Sequence, residues 1–460
     1  MNLRKLTSWL LKLLAGAMAL LILLALAVIL VNRKDEAPSQ AVQTLKGIVD
    51  SRAPVADRDN AYVYVMGFSS AENADALLEG IARVEWMRKF LATAAPYQFP
   101  NLPGEKSDSF ESREQEFKQF ARTCKENNRA CLVAMESDPV RLQAWIQREA
   151  KVIDRYQSLL EFRQWRELWP SDARSLVAPF SPVLEAQRLM LVKGWLMANQ
   201  GDAAGCKRML ERDLVFWRMV LAETSSLVHK MIATRAIEQH FAMGSVVLRR
   251  LPAGLAERSI PDAWRVPISF RERSMANVMA SEWEFADRSI GPVHLAAYFE
   301  QNEGGPDADT FVSRTLAGIL LKPQATSNIS AERMFGIAEL FDRDYTVMPG
   351  AAEALLASPK FAQELGVYNP VGKLLVNLID MKALSNYGFH VANLEAVRRL
   401  ALLASDFRSK GIRDESVAES LRKTDLRNPY DGSAFGWDSK ERSLVFHRTQ
   451  LAKPDLTIAY

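Results

Sequence analysis

Apolar and polar positions are distributed unevenly along these 460 residues. The chain begins with an unbroken apolar run over residues 10–31, "LLKLLAGAMALLILLALAVILV", interrupted by one charge, Lys12. About 20 apolar residues at 1.5 Å each cross a bilayer core, so the run predicts a transmembrane helix. Trp9 stands at its edge as an interfacial anchor, and Lys12 lies close enough to the end to snorkel. Beyond it the pattern becomes amphipathic at helical spacing. Residues 39–52 place Val42, Leu45, Ile48 and Val49 on one face, and residues 75–91 carry Leu77, Ile81, Val84 and Trp86. Asp138-Pro139 is a helix start, a capping side chain followed by proline at the first helical position. That helix carries Leu142, Ile146, Ile153, Tyr156 and Leu160. Another opens at Ser181-Pro182 and stops at "NQGD", and long helices follow near 203–222 and 225–250. "NAYVYVMGF" (60–68) suits either a strand or a short helix capped by Asn60.

Breaks in the pattern divide the rest. Pro96, Pro100 and Pro103 mark a loop. Pro252, Gly254, Pro261 and Pro267 make 252–267 a linker between a helical lobe over 32–251 and a second over 268–428. A body of this size exceeds one comfortable core. Ser269 and Glu272 form a capping box for a helix running through Met275, Val278 and Met279 to Phe285. "EGGPDAD" (303–309) is a loop. Further helices are expected near 309–320, 328–341, 350–357, 370–380 and 393–410, the last stopped by Gly411. At the C-terminus (429–460), two aromatic-apolar runs around "DSKER" predict a small β-hairpin. The expected fold is all-α: one transmembrane helix and an irregular helical-hairpin body, with a small C-terminal β-hairpin.

Charge places the run relative to a membrane. A cleaved signal would end its apolar core at a small-x-small site, but "ALA" (25–27) is followed by four more apolar residues, which favours an uncleaved anchor. Basic residues count toward the cytoplasmic side. The amine, Arg4, Lys5 and Lys12 on the N-terminal side outweigh Arg33 and Lys34. Residues 1–9 are therefore expected inside and the body outside the cytoplasm, in a bacterial periplasm or a eukaryotic lumen. The small residues Ala15, Gly16, Ala17 and Ala19 form a patch suited to helix contact or, more commonly, to lipid. Basic and acidic residues number 58 and 55, a balance that gives no one-sided footprint for nucleic acid.

The cysteines follow from the compartment. Thiols outside the cytoplasm tend to oxidise, and Cys124 and Cys131 bracket "KENNR", suitable turn material. In one helix they would be about 10.5 Å apart, beyond disulfide reach, so a bond requires the chain to turn. Such a short loop contributes roughly 2.5 kcal/mol in the chain-entropy model. C-x-x-C is absent, and four zinc ligands are not assembled nearby. Cys206 is left over as a buried thiol.

Two resemblances add to this. "LMLVKGWLMANQGDAAGCKRMLERDLVFWRMVL" (189–221) resembles a tetratricopeptide-like helical hairpin, without a second copy 34 residues on. The C-terminal stretch, with "LLKPQATSN" (320–328) and "NPVGKLL" (369–375), resembles certain uncharacterised membrane-anchored helical proteins of Gram-negative bacteria. That resemblance implies an inner-membrane anchor and a periplasmic body, and it carries no catalytic residue.

Catalytic signatures fail on spacing. "GVYNPVGKL" (366–374) is close to a phosphate loop, but its first glycine is one position too distant and Leu374 replaces the hydroxyl. "GSAFG" (432–436) does not centre its serine. H-E-x-x-H is missing, and "DRY" (154–156) is a coincidence of three letters. His229 and His240 share a helical face about 16.5 Å apart, too far to share a metal; His294, His390 and His447 have no sequence partner. The polar candidates are acids at apolar faces: Glu238, Glu282 and Asp213, the last flanking Phe216-Trp217 together with Arg218. A buried acid needs a partner. It is more often half of an ion pair between helices than a proton donor, and Glu238 and Glu282 are the acids an enzyme would use. The expectation is a membrane-tethered scaffold outside the cytoplasm that binds an envelope protein partner, with no cofactor and no metal. A sensory ligand-binding module and an envelope hydrolase are the alternatives.

Overall fold

The computed structural model describes residues 3–94, 98, 100, 119–120, 122–124, 128–169, 174–290, 318–358, 361, 366–448 and 455–460. The loop expected at 303–309 and most of the one around Pro96–Pro103 lie outside these residues. The architecture is mostly helical, with a small sheet at the C-terminus. Helix α1 (Leu3–Val31) is the apolar run. Over Leu11–Val31 its mean hydropathy is 3.0 and none of it is buried against the body, so it is long and apolar enough to cross a membrane.

The exit of α1 is fastened to the body. Asn32 Nδ2 donates to Val367 O at 2.8 Å, and Asn32 Oδ1 accepts the Asn369 N–H at 2.8 Å. Asp35 Oδ2 and Oδ1 accept the Gln324 and Ala325 N–H groups at 2.9 Å each. It thereby caps α15 (Pro323–Phe341) from 289 and 290 positions away in sequence. Asn328 receives Ser39 N and donates to Glu36 and Ala37. The linker 32–39 is thus hydrogen-bonded along its length to the stretches 320–328 and 367–369. Asn369 adopts φ 50°, a left-handed conformation that asparagine tolerates better than most residues.

Local capping builds the first layer. Ser39 caps α2 (Gln40–Asp50), Asn60 caps α3 (Ala61–Gly67), and Asp75 caps α4 (Ala76–Thr93). The 60–68 stretch is therefore helical. Its Gly67 and the Gly80 of α4 meet where the helices cross: a Cβ on either would collide with a backbone carbonyl of the other, Ala76 O or Val63 O. Cys124 and Cys131 have sulfurs 2.05 Å apart and Cα atoms at 4.3 Å, disulfide distance, with Cys131 in α5 (Asn128–Ser137).

The helix expected from Pro139 is two helices, α6 (Pro139–Arg148) and α7 (Ala150–Leu159), joined at Glu149. Apolar spacing continues across the joint and so gave no sign of it. Next come α8 (Phe180–Asn199), α9 (Ala203–Glu223) and α10 (Leu227–Arg250), the centre of the body. The α8–α9 turn forms as the hairpin resemblance implies: Gly201 takes φ 80°, and Asp202 accepts the Gly205 N–H at 2.8 Å. Trp195, Trp217 and Phe241 fill the space between these helices.

Residues 251–267 include α11 (Ala253–Ala256) and α12 (Asp262–Arg265). Trp264 there is fully buried, and its carbonyl accepts from Arg398 at 2.8 Å. One contiguous hydrophobic cluster runs from Val42 to Tyr460. The capping box forms, but its helix is only α13 (Phe270–Arg273), with α14 (Ala276–Ile290) resuming after a break. Lys230 sits at this break: its buried ammonium takes Glu272 O at 2.8 Å and Ser274 O at 3.0 Å, together with Leu221 O at 2.7 Å. Burial pushes this amine down to about 7.

Helices α16 (Met348–Leu356), α17 (Pro370–Asn377) and α19 (Leu394–Ser409) fall near their expected places, while α18 (Met381–Ala392) and α20 (Asp414–Lys423) were not expected. The hairpin β1 (Gly436–Asp438) and β2 (Ser443–Phe446) pairs antiparallel, Trp437 opposite Leu444. A third strand, β3 (Leu456–Ala459), adds to β2, with Leu444 opposite Ile458.

Candidate functional site

A buried polar network lies at the centre of α7–α10. Asp213 Oδ1 accepts the Tyr156 hydroxyl at 2.5 Å, and Asp213 Oδ2 accepts Gln187 Nε2 at 3.0 Å and faces His240 Nδ1 at 2.7 Å. Trp264 Nε1 donates to His240 Nε2 at 2.7 Å. An indole nitrogen only donates, so Nε2 is the acceptor and the His240 proton sits on Nδ1, toward Asp213. Trp217 Nε1 closes the set on the Tyr156 oxygen at 2.8 Å. Burial, then the Asp213 charge, holds the Tyr156 hydroxyl well above its ordinary range. Every polar atom here is matched, which is the condition for tolerating such groups in a core.

The network reaches a cavity. Gln187 Oε1 accepts Gln239 Nε2 at 3.0 Å, and Gln239 Oε1 accepts Arg188 Nε at 2.7 Å. Arg188 lines a cavity of about 590 Å³ between α8, α10, α18 and β3, with the Cys124 side chain also in its wall. Arg235 and Arg448 line it too, with Glu238, His390 and Asp455; Met231, Met243 and Tyr387 are among its apolar surfaces. Arg235 donates to Glu238 at 3.2 Å, and Arg448 stands 3.7 Å from the same carboxylate. Asp455 is paired with His447 at 2.7 Å. Three guanidiniums thus face two carboxylates, one of them shared. Among the described residues Arg188 has no carboxylate within ion-pair distance. The Arg448 side chain is only 9% exposed, and its buried Nε finds no acceptor among them. Burial lowers Arg188 and Arg448 below the usual guanidinium range; the Arg235 charge adds to the effect on Arg188.

The structure separates the two acids singled out from sequence. Glu238 is in the cavity wall, between Arg235 and Arg448. Glu282, half-buried on α14, does not line it; burial pushes its carboxyl up to about 6. Asp213 is the hub of the core network. Arg218 grips Glu272 at 2.8 Å and the carbonyls of Ala263, Val266 and Pro267. His229 faces Glu167 at 3.0 Å. Burial would raise the Glu167 carboxyl, but hydrogen bonds from His229, Thr224 and Trp165 outweigh it and hold the group well below the carboxylate range. Arg155 and Tyr156 of "DRY" are both structural: Arg155 donates to carbonyls of the 68–74 loop. Cys206 is buried, its thiol pushed up to about 11 by burial. No group of three metal-ligating side chains occurs among the described residues.

Sequence reading missed the three arginines. They come from α8, α10 and the strand end after β2, and basic residues at such separations carry no spacing signal. No protein-family model, no curated protein and no solved structure matches this chain.

Proposed function

We propose that this chain is a membrane-tethered, non-catalytic binding protein whose arginine-lined cavity receives an acidic segment of an envelope protein partner. Helix α1 is the anchor, in the inner membrane, and the body lies in the periplasm. The apolar length of α1 and the basic residues before it support that placement.

The carrying observation is the guanidinium excess in a half-open, mixed-polarity cavity. Planar guanidiniums bind carboxylates through two parallel hydrogen bonds, and low-dielectric walls strengthen that attraction. A cavity of about 590 Å³ is in the range of small-ligand pockets, so it takes a short segment rather than a folded surface. Glu238, flanked by two of the arginines, is arranged as the internal counter-charge. Its placement supports a binding role over that of a hydrolytic acid, and Glu282 offers it no partner across the cavity.

Titration with acidic, neutral and basic peptides of equal length tests this reading. Acidic peptides should bind, more weakly as salt rises. Replacing Arg188 and Arg448 together by Ala should weaken them at least about tenfold, the equivalent of one lost charge-assisted contact of about 1.4 kcal/mol. Binding that ignores peptide charge, or survives that replacement, would overturn the proposal.

A further inference from the structure

We propose that α17 lies on the bilayer beside the exit of α1, with Val371, Leu374 and Leu378 set into the boundary between headgroups and acyl chains. The inference rests on α1 being a membrane anchor.

Position is the first observation. Asn32, one residue beyond α1, binds both Val367 and Asn369, and the Tyr368 hydroxyl donates to Lys34 O at 3.3 Å. The loop that starts α17 is therefore fixed where the apolar helix ends. The faces of α17 are the second. Gly372 and Val376 turn inward: Thr326 Oγ1 occupies the place a Cβ on Gly372 would need, and Arg333 donates to Val376 O at 3.0 Å and Asn377 Oδ1 at 2.7 Å. Residues 371, 374 and 378 share the opposite, helically spaced stripe. Leu374 and Leu378 are 51% and 73% exposed, and Val367 just before the helix is 56% exposed.

Composition is the third. Residues 366–378, "GVYNPVGKLLVNL", contain one charge, Lys373, and one tyrosine. Lysine snorkels and tyrosine prefers the interface. The nearest linker acids, Asp35 and Glu36, stay exposed but are held by hydrogen bonds to α15, Asp35 at the Gln324 and Ala325 N–H groups and Glu36 through Asn328. A short amphipathic stripe continuous with a lipid-facing helix is covered most directly by the same lipid. The anchor and α17 then hold the body at two points, which fixes how the cavity is presented above the membrane.

The test uses the full chain in bilayer nanodiscs of phosphatidylethanolamine and phosphatidylglycerol. Nitroxide labels are placed singly through Leu20→Cys, Leu374→Cys and Leu378→Cys. Native thiols do not compete, since Cys206 is buried and Cys124 and Cys131 are paired. Relaxation by oxygen should exceed relaxation by a water-soluble nickel chelate at all three sites. Chelate-dominated relaxation at 374 and 378 with an oxygen-dominated Leu20 site would overturn the α17 proposal and leave the anchor standing. A chelate-dominated Leu20 site would overturn both.

Discussion

The Asn369 N–H donates to Asn32 Oδ1 at 2.8 Å, linking positions 337 residues apart. The contact joins the residue just past the apolar helix to the loop before α17. Asn369 also accepts the Lys322 N–H at 2.8 Å and bonds Thr326 at 3.0 Å, while holding a left-handed backbone. Asn369→Ala should destabilise the full chain in detergent by about 2–4 kcal/mol, from stranded buried partners and backbone strain together. Asn369→Gly removes only the strain component and should recover part of the loss. Thermal melting reads both, and equal melting of the two variants would show that backbone conformation contributes nothing.

Asp213 accepts from Tyr156 and Gln187 and faces His240, all within the core. Asp213→Ala strands the Tyr156 hydroxyl and His240 Nδ1, while Gln187 keeps the Ala236 carbonyl at 3.1 Å, and should cost about 3–5 kcal/mol. Denaturant unfolding of the variant should show a shifted midpoint with an unchanged slope. A loss below about 1 kcal/mol would mean that the network is dispensable.

The crossing of α3 and α4 leaves no room for a side chain at Gly80, because the obstacle is the Val63 carbonyl rather than a flexible side chain. Gly80→Ala should therefore lower stability by about 2–3 kcal/mol, although alanine is the better helix former. Melting temperature measures it, and a stabilised variant would refute the close approach.

Glu282 makes stability depend on pH. Its carboxyl titrates at about 6 in the fold against an ordinary value of 4.5. Between those values the folded chain keeps a proton that the unfolded chain has released, so this group's contribution falls as pH rises from about 4.5 to about 6 and is level above. Glu282→Gln should raise stability at neutral pH by about 1–2 kcal/mol and remove that slope. Urea titrations across this range would contradict the assignment if wild type and variant kept the same pH profile.

Local signals made much of the fold legible. Ser39, Asn60, Asp75, Asp138 and Asp202 each cap the helix that follows them, and the Gly201 turn is marked by its own residues. Signals from distant residues were not legible. Helix α15 starts at Pro323 rather than near 328 because Asp35 supplies its cap. The helix opened by Ser269 stops at Arg273, where the distant Lys230 takes the Glu272 and Ser274 carbonyls. The stretches 320–328 and 369–375 read as punctuation in sequence, and in the structure they hold the linker after α1. Of the candidate site, Glu238 was visible because it interrupts an apolar face. Arg188, Arg235 and Arg448 were not, since only the packing of α8, α10 and the sheet brings them together.

The most direct test of the binding role places a photoreactive amino acid at Met231, in the cavity wall, and irradiates the full chain in its native membrane. One discrete protein adduct is expected, its crosslinked peptide rich in Asp and Glu, and it should be lost when Arg188→Glu or Arg448→Glu is added to an otherwise folded chain. No adduct at Met231, or an adduct that persists unchanged with the arginines reversed in charge, would contradict it.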